Sequence, residues 1–308
     1  MTQHHTPLRY PGGKQRLTPF ILELIEANGL TGGNYVEPYA GGAGVAIELL
    51  LGKHVKKIHL NDSSVPIHCF WKAIKTENEK FCRRISTASL TIEEWKRQRD
   101  ILRNISDNYE FDVGFAAFYL NRCNRSGVLT GGVIGSLKQV GKWKIDARFS
   151  RNELIRRVEA IGDHANSIAL RNMDAEDFIK NYIAKLPKDT FVYCDPPYYE
   201  KSRRLYLDYY QQDDHERIAG VIQKHLKHKW VVSYDAANAI LKYYKDRKKF
   251  LYDLQYAAAK VYKGREVFIF SDRTIIPRTS GLSYINTALR YNPKLFSSKK
   301  NSPARLAA

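Results

Sequence analysis

Six short apolar runs, mostly separated by helical patterns, limit what this chain can fold into. They are Tyr35-Val36, Lys57 to Leu60, Ser167 to Leu170, Phe191 to Cys194, Trp230 to Val232 and Val267 to Phe270. Runs of this length with no polar alternation suit strands covered on both faces. Between them, Val45 to Leu51 and His215 to Leu226 carry apolar residues at helical spacing. Strands alternating with helices imply a mostly parallel, doubly wound α/β sheet. Ligands of such sheets bind beyond the carboxyl ends of the strands, so the residues that close each run matter most. The DDHE stretch is expected to start the helix at 215, with Asp213 as cap and Glu216 closing a capping box.

About a hundred residues, 67 to 165, interrupt the alternation and are rich in helix formers and charge, as in EEWKRQRDILRN. An insertion this long is expected to be a subdomain with its own task. Inside it, VLT-GG-VI reads as a β-hairpin, with Gly131-Gly132 supplying the positive φ of a two-residue turn. The chain therefore divides into a discontinuous domain, 1–66 with 166–293, an insert, 67–165, and a basic tail, 294–308, too poor in apolar residues to be ordered. The four cysteines show no C-x-x-C and no paired spacing, which argues against a zinc or disulfide framework, and no metal is expected. No apolar stretch approaches membrane length, and MTQHHTPLRY has no signal core, so a cytoplasmic protein is expected. Fifty Lys and Arg against thirty-two Asp and Glu give a net charge of +18, which points to a polyanion, nucleic acid before membrane.

Two strand ends carry chemistry. The first run leads into NYVEPYAGGAGVAIELL, where Glu37 closes the strand and Gly41, Gly42 and Gly44 allow a tight turn that lets backbone approach a ligand. Asp62 ends the next strand, where an acid can hold ribose hydroxyls. GGAGVA lacks the G-x-G-x-x-G spacing of dinucleotide sites, and Glu37 would repel a pyrophosphate but suit a sulfonium or ammonium, which favours S-adenosylmethionine. Gly12-Gly13-Lys14 is no P-loop, since Leu8 stands where the first glycine belongs and Gln15 follows the lysine. The second end is FVYCDPPYYE, where Pro196 and Pro197 stop the strand and leave Asp195 at its carboxyl tip.

LRYPGGKQRL (8–17), YVEPYAGGAG (35–44), LND (60–62), FYLNRCNRSG (118–127) and VYCDPPY (192–198) stand in an order that resembles the Dam-like DNA adenine methylases, and DHERIA and VVSYD fit as well. The resemblance covers roughly residues 7 to 275. It implies a Rossmann-like methyltransferase fold with a mainly helical target-recognition insert. It also implies methyl transfer from S-adenosylmethionine, leaving S-adenosyl-L-homocysteine, to the exocyclic amino nitrogen of adenine in duplex DNA. Carried over by position, Tyr10, Lys14, Pro38 and the Glu37-to-Gly44 loop would line the cofactor pocket. Asp62 would hold the ribose, Asp177 and Phe178 would meet the adenine ring, and Asp195 to Tyr198 would form the active site, with Asp195 also near the cofactor. Ser126-Gly127 stands where the family has Asn-Gly, so the recognition sequence is not carried over. A monomer on double-stranded DNA in a bacterial or phage-infected cell is implied, with a separate restriction endonuclease as a candidate partner.

The chemistry of DPPY agrees. Adenine's amino lone pair is delocalised into the ring, and two acceptors, the Asp195 carboxylate and the Pro196 carbonyl, would bind its hydrogens and localise the pair. Orientation and electrostatics then suffice, without metal or strong base. Tyr198 is expected to offer a stacking face to a base flipped out of the duplex, at roughly a few kcal/mol. Asn121, Arg122, Asn124, Arg125 and Ser126 are expected to read base edges, Arg9 to reach DNA, and Lys138 and Lys142, with Lys144 beside Trp143, to meet the backbone. Lys201, Arg203 and Arg204 are expected to clamp the strand around the flipped base. Three other readings stand beside this one: amino-methyl transfer to cytosine or RNA, a non-catalytic nucleic-acid-binding module with a vestigial cofactor site, and, more distantly, a nicotinamide oxidoreductase.

Overall fold

The computed structural model describes residues 5–9, 14–199, 211–256, 262–277 and 284–285. All six expected runs form strands: β1 (Asn34–Glu37), β2 (Lys57–Asn61), β3 (Ile168–Arg171), β4 (Thr190–Cys194), β5 (Lys229–Asp235) and, longer than expected, β7 (Tyr262–Phe270), with β6 (Lys248–Tyr256) and a short β8 (Tyr284–Ile285) added. Together they make one sheet in the order β3-β2-β1-β4-β5-β7-β6-β8. The first five strands are parallel, and β7, β6 and β8 run antiparallel to their neighbours. Strand order reverses between β1 and β4, which makes their carboxyl ends the topological switch point where such sheets bind ligands.

The lack of polar alternation in the runs has its cause in the layers above and below. Tyr35, Phe191, Tyr193 and Val231 belong to one apolar cluster, and Val36, Val192, Cys194 and Val232 to a second on the opposite face. The first face carries α1 (Thr18–Ala27), α2 (Gly44–Leu51), α3 (Val65–Thr76), α4 (Asn78–Thr87), α5 (Ile92–Arg103), α6 (Glu110–Cys123) and α7 (Arg151–Gly162). The second carries α8 (Ala175–Asp177), which continues through a wide turn over Phe178–Tyr182, then α9 (Gln212–His225) and α10 (Asn238–Tyr243). Helices α3 to α7 lie between β2 and β3 in the chain, and Phe70, Phe81, Phe115 and Phe118 share a core with the strand residues Tyr35 and Ile58. Phe70 and Phe118 lie parallel with centroids 6.1 Å apart. Helices α3 and α6 meet closely at Gly114, where a Cβ would stand 2.5 Å from the Cys69 carbonyl oxygen.

Several local expectations need correction. VLT-GG-VI forms no hairpin: one bridge pairs Asn124 with Val133, and positive φ falls at Ser126, Gly127 and Gly135 rather than at Gly131 or Gly132. The Asn124 side chain replaces a ladder here, its Nδ2 donating to the carbonyls of Val128 and Leu129, both at 2.9 Å. Helix α9 starts earlier than Asp213. Gln211 is its cap, and the Gln211 N–H donates to the Asp214 carboxylate at 2.8 Å, so the box is closed by Asp214 and not Glu216. The unexpected β6 hides behind Lys248-Lys249. Lys249 is buried, but its ammonium donates to the carbonyls of Tyr244, Lys245 and Arg247, which makes the burial tolerable.

Among the described residues no helix is long and apolar enough to cross a membrane. The tail, 294–308, lies outside them.

Candidate active site

Glu37 ends β1 and is 5% exposed. Its Oε1 accepts from the Tyr35 hydroxyl at 3.1 Å and the Ala46 N–H at 3.2 Å, the latter inside α2. These bonds favour the carboxylate, yet burial dominates and pushes the carboxyl up to about 8. The loop that follows turns sharply through Gly41 (φ 45°) and Ala43 (φ 44°). Asp62, just past β2, shapes it: one oxygen accepts from the Gly41 N–H at 2.8 Å and the other from the Ser64 N–H at 3.0 Å. Asn61 ties three strand ends together, donating to the carbonyls of Pro38 and Met173 and accepting from the Met173 N–H. Pro38, Gly41 and Gly42 are buried and Gly44 is half-buried against Gln15, so this loop is a rigid ledge.

Asp195 follows β4 next to the ledge, half-buried, with Pro196 buried and Pro197 half-buried. The Ser233 hydroxyl, on β5, donates to Asp195 Oδ1 at 2.5 Å, and Tyr193 lies 2.9 Å behind Ser233. Lys14 Nζ is 3.4 Å from the same Oδ1. Among the described residues both contacts fall on Oδ1. Burial raises the Asp195 carboxyl and Glu266 adds to the rise, while Lys14 and the Ser233 hydroxyl work against it. Lys14 is itself buried. Burial would pull its ammonium down, but the groups around it, Asp195 first and then Tyr252, Glu266 and Tyr193, hold it well above the ordinary lysine value.

Tyr198 departs from expectation. It is 4% exposed, and its hydroxyl donates to Glu266 at 2.8 Å, so its ring does not present an open stacking face. Phe178 is likewise enclosed, stacked on Tyr182 with centroids 4.9 Å apart, and only Asp177 of that pair is exposed. Tyr10 lies outside the described residues, as do Lys201, Arg203 and Arg204.

The expected DNA contacts divide into two groups. Asn121 is buried in α6 and its amide spans the Arg9 backbone, accepting from the Arg9 N–H at 2.6 Å and donating to the Arg9 carbonyl at 2.7 Å. Arg122 donates to the Arg148 carbonyl at 2.7 Å, and burial beside Arg9 and Arg157 pushes its guanidinium down to about 9. Asn124 is fully buried and accepts from the Trp95 indole N–H at 2.7 Å. These three are corrected from base readers to internal ties, because their polar atoms are already engaged with the protein. Arg9 is half-buried, with a guanidinium contact to the Asn124 carbonyl at 3.4 Å. Arg125, Ser126, Lys138, Lys142 and Lys144 are exposed, as are Leu137, Val140 and Trp143 beside them.

Sequence reasoning passed over Ser233, Tyr252 and Glu266 as site residues. Ser233 lies within VVSYD, residues 231–235. Glu266 has one signal, an acid directly ahead of the apolar run VFIF. Among the described residues no three metal-ligating side chains cluster.

A family model for D12 class N6 adenine-specific DNA methyltransferases matches residues 10–259. The chain is similar to the Type II methyltransferase M.MjaIII of Methanocaldococcus jannaschii, 25% identical over 236 residues that cover 70% of this chain and 78% of that protein. Among solved structures it is similar to the rRNA methyltransferase aviRa from Streptomyces viridochromogenes, with 12% identity, coverage of 86% of this chain and 88% of the other, and a TM-score of 0.35.

Proposed function

Because the chain belongs to the D12 class of N6 adenine-specific DNA methyltransferases, we propose that Asp195 and the Pro196 carbonyl are the acceptors that prepare adenine's amino nitrogen for methyl transfer. The single observation that carries this reading is the position of Asp195. It stands at the carboxyl end of β4, across the switch point from the Glu37 ledge, with Ser233 and Lys14 fixing one of its oxygens.

The residues of the ledge fit S-adenosylmethionine. Glu37 holds a proton near neutral pH because burial leaves it without a counter-charge, and a cationic ligand beside it supplies one. When bound, the cofactor offers an electrophilic methyl group on a positively charged sulfur. Glu37 would neutralise part of that charge, Asp62, which shapes the loop, would accept from the ribose hydroxyls, and Lys14 and the Gly41–Gly44 backbone would enclose the remainder. Asp195 and the Pro196 carbonyl would accept the two amino hydrogens and so localise the nitrogen's lone pair. The amino proton released on transfer passes to the Asp195 carboxylate. Proline at 196 and 197 keeps the acceptors rigid and adds no N–H that could compete. Rate enhancement then comes from orientation and fixed electrostatics, and no metal takes part.

The insert, 67–165, is the part that meets DNA. Support comes from the exposed Arg125, Ser126, Lys138 and Lys142, with Trp143 and Val140 beside them. In this reading the three buried polar residues of α6 and its end position that surface from within. The protein acts as a monomer in the cytoplasm.

Transfer of tritiated methyl from S-adenosylmethionine to unmethylated duplex DNA, followed by nucleoside analysis, tests the reading. Label in N6-methyladenine is expected. Label in cytosine would overturn the pocket assignment, and absence of label with both ligands bound would overturn the catalytic one.

A further inference from the structure

Glu266 lies on β7 far along the chain from DPPY, and none of the roles above uses it. It is 1% exposed, and its carboxylate is surrounded by donors. Oε2 takes the Lys14 ammonium at 2.5 Å and the Tyr252 hydroxyl at 2.5 Å, and Oε1 takes the Tyr198 hydroxyl at 2.8 Å. Sheet register explains the meeting. Glu266 stands opposite Asp235 at the carboxyl end of β5 and opposite Tyr252 on β6, which brings the middle of an antiparallel strand to the rim where the parallel strands end. A charge buried this deeply persists only with such partners.

Lys14 is shared between two carboxylates, and unequally. Its ammonium is 2.5 Å from Glu266 and 3.4 Å from Asp195. At the longer distance it still favours an ionised Asp195 through space, but it makes no short charged hydrogen bond that would cap the acceptor. Among the described residues, Asp195 is the carboxylate left beside that ammonium when Glu266 is removed. A lysine drawn fully onto Asp195 would occupy the lone pairs the amino group needs, and Tyr198 would lose the acceptor that fixes its hydroxyl.

We propose that Glu266 is a positioning residue for methyl transfer: it anchors Lys14 and Tyr198 so that Asp195 stays open to the target amino group. The proposal rests on the assignment of Asp195 as the acceptor. It also extends the site to an antiparallel strand beyond the motifs.

Glu266→Gln keeps the shape and removes the charge. The test compares wild type, Glu266→Gln, Lys14→Met and the double variant in the full chain. Single-turnover transfer is measured at saturating S-adenosylmethionine and duplex DNA, and equilibrium binding of each is measured separately. Glu266→Gln is expected to slow single-turnover transfer on the order of tenfold while each affinity stays within about twofold of wild type. In the Lys14→Met background the same change is expected to cost no more than about twofold, since the glutamine oxygen still accepts from the Tyr198 hydroxyl and the lost charge acts through the lysine. Additive losses in the double variant, or weakened binding with unchanged transfer, would overturn the proposal. Should Glu266→Gln melt too low to assay, Tyr252→Phe removes one donor from the same carboxylate. It is expected to slow transfer with binding kept, and an unchanged rate refutes the proposal. Wild-type label in adenine keeps the outcomes apart: its absence sinks the acceptor assignment, whereas its presence beside additive variants sinks only the role of Glu266.

Discussion

Replacing Glu37 with glutamine, followed across pH, probes the cofactor ledge most directly. Burial holds this carboxyl up to about 8 although the Tyr35 hydroxyl and the Ala46 N–H both favour its ionised form. Near neutral pH the ligand-free protein therefore carries a proton there. A sulfonium and an ammonium placed beside it favour the carboxylate, so binding expels close to one proton. Affinity for S-adenosylmethionine should then rise with pH and level off above about 8. One pH unit below that plateau the penalty is about 1.4 kcal/mol, or roughly tenfold in affinity. Calorimetric titration in two buffers of different ionisation enthalpy counts the proton, and Glu37→Gln should abolish the release and flatten the profile. Stability follows the same linkage. A raised folded-state value means that the folded protein binds the proton more tightly than the unfolded chain. Ligand-free stability is therefore full below the ordinary carboxylate range and declines as pH climbs toward 8, a decline the glutamine variant should lack. Cofactor binding by the wild type without proton uptake or release near neutral pH, or an unchanged profile in the variant, would refute the placement of a cation beside Glu37.

Asp195→Ala should lower single-turnover transfer by on the order of 10²–10³-fold with little change in melting temperature, as expected when a preorganised electrostatic partner is lost; wild-type-like turnover would sink the acceptor mechanism. Asn124→Ala should destabilise the fold by about 1–3 kcal/mol in chemical denaturation, because the Trp95 indole and the Val128 and Leu129 carbonyls lose their partner. Arg125→Ala should leave stability unchanged but weaken DNA binding and reduce its log–log salt slope by about 0.9, which filter binding across a salt series reads. Gly114→Ala should cost about 1–3 kcal/mol, since its methyl group would press on the Cys69 carbonyl where α3 crosses α6; a neutral effect would mean that the two helices can separate freely.

The parallel strands were legible because double-sided burial leaves an unbroken apolar run, as in Phe191 to Cys194. β6 was not, because Lys248, Lys249 and Asp253 break its run. No sequence pattern announces that three carbonyls in the turn after α10 will receive the Lys249 ammonium. The same limit governs the site. Glu37, Asp62 and Asp195 close strands and follow apolar runs, so their place at the rim could be inferred. Glu266 lies within a strand, and only the register of β7 between β5 and β6 brings it to Lys14. Asn121, Arg122 and Asn124 failed for a different reason. Amides and guanidinium groups bind carbonyls of the chain as readily as base edges, and α6 is buried on nearly every side, so it offers no polar face to reveal which partner is meant.

The pairing of β1 with β4 governs how the molecule can assemble. Glu37 ends one strand and Thr190 begins its parallel neighbour, with β2, β3 and all of α2 to α8 lying between them. Closing so long a loop costs entropy before the pairing rewards it, so this seam should form late. The insertion's helices share their core with β2 and can condense first, while the two halves of the site are still apart. During synthesis the Glu37 ledge is made long before the DPPY strand. A newly made chain therefore has no completed pocket with which its cofactor could help. S-adenosylmethionine is expected to slow unfolding of the finished protein and to leave its refolding rate nearly unchanged, which makes the ligand a lock on the native state and not a template for reaching it.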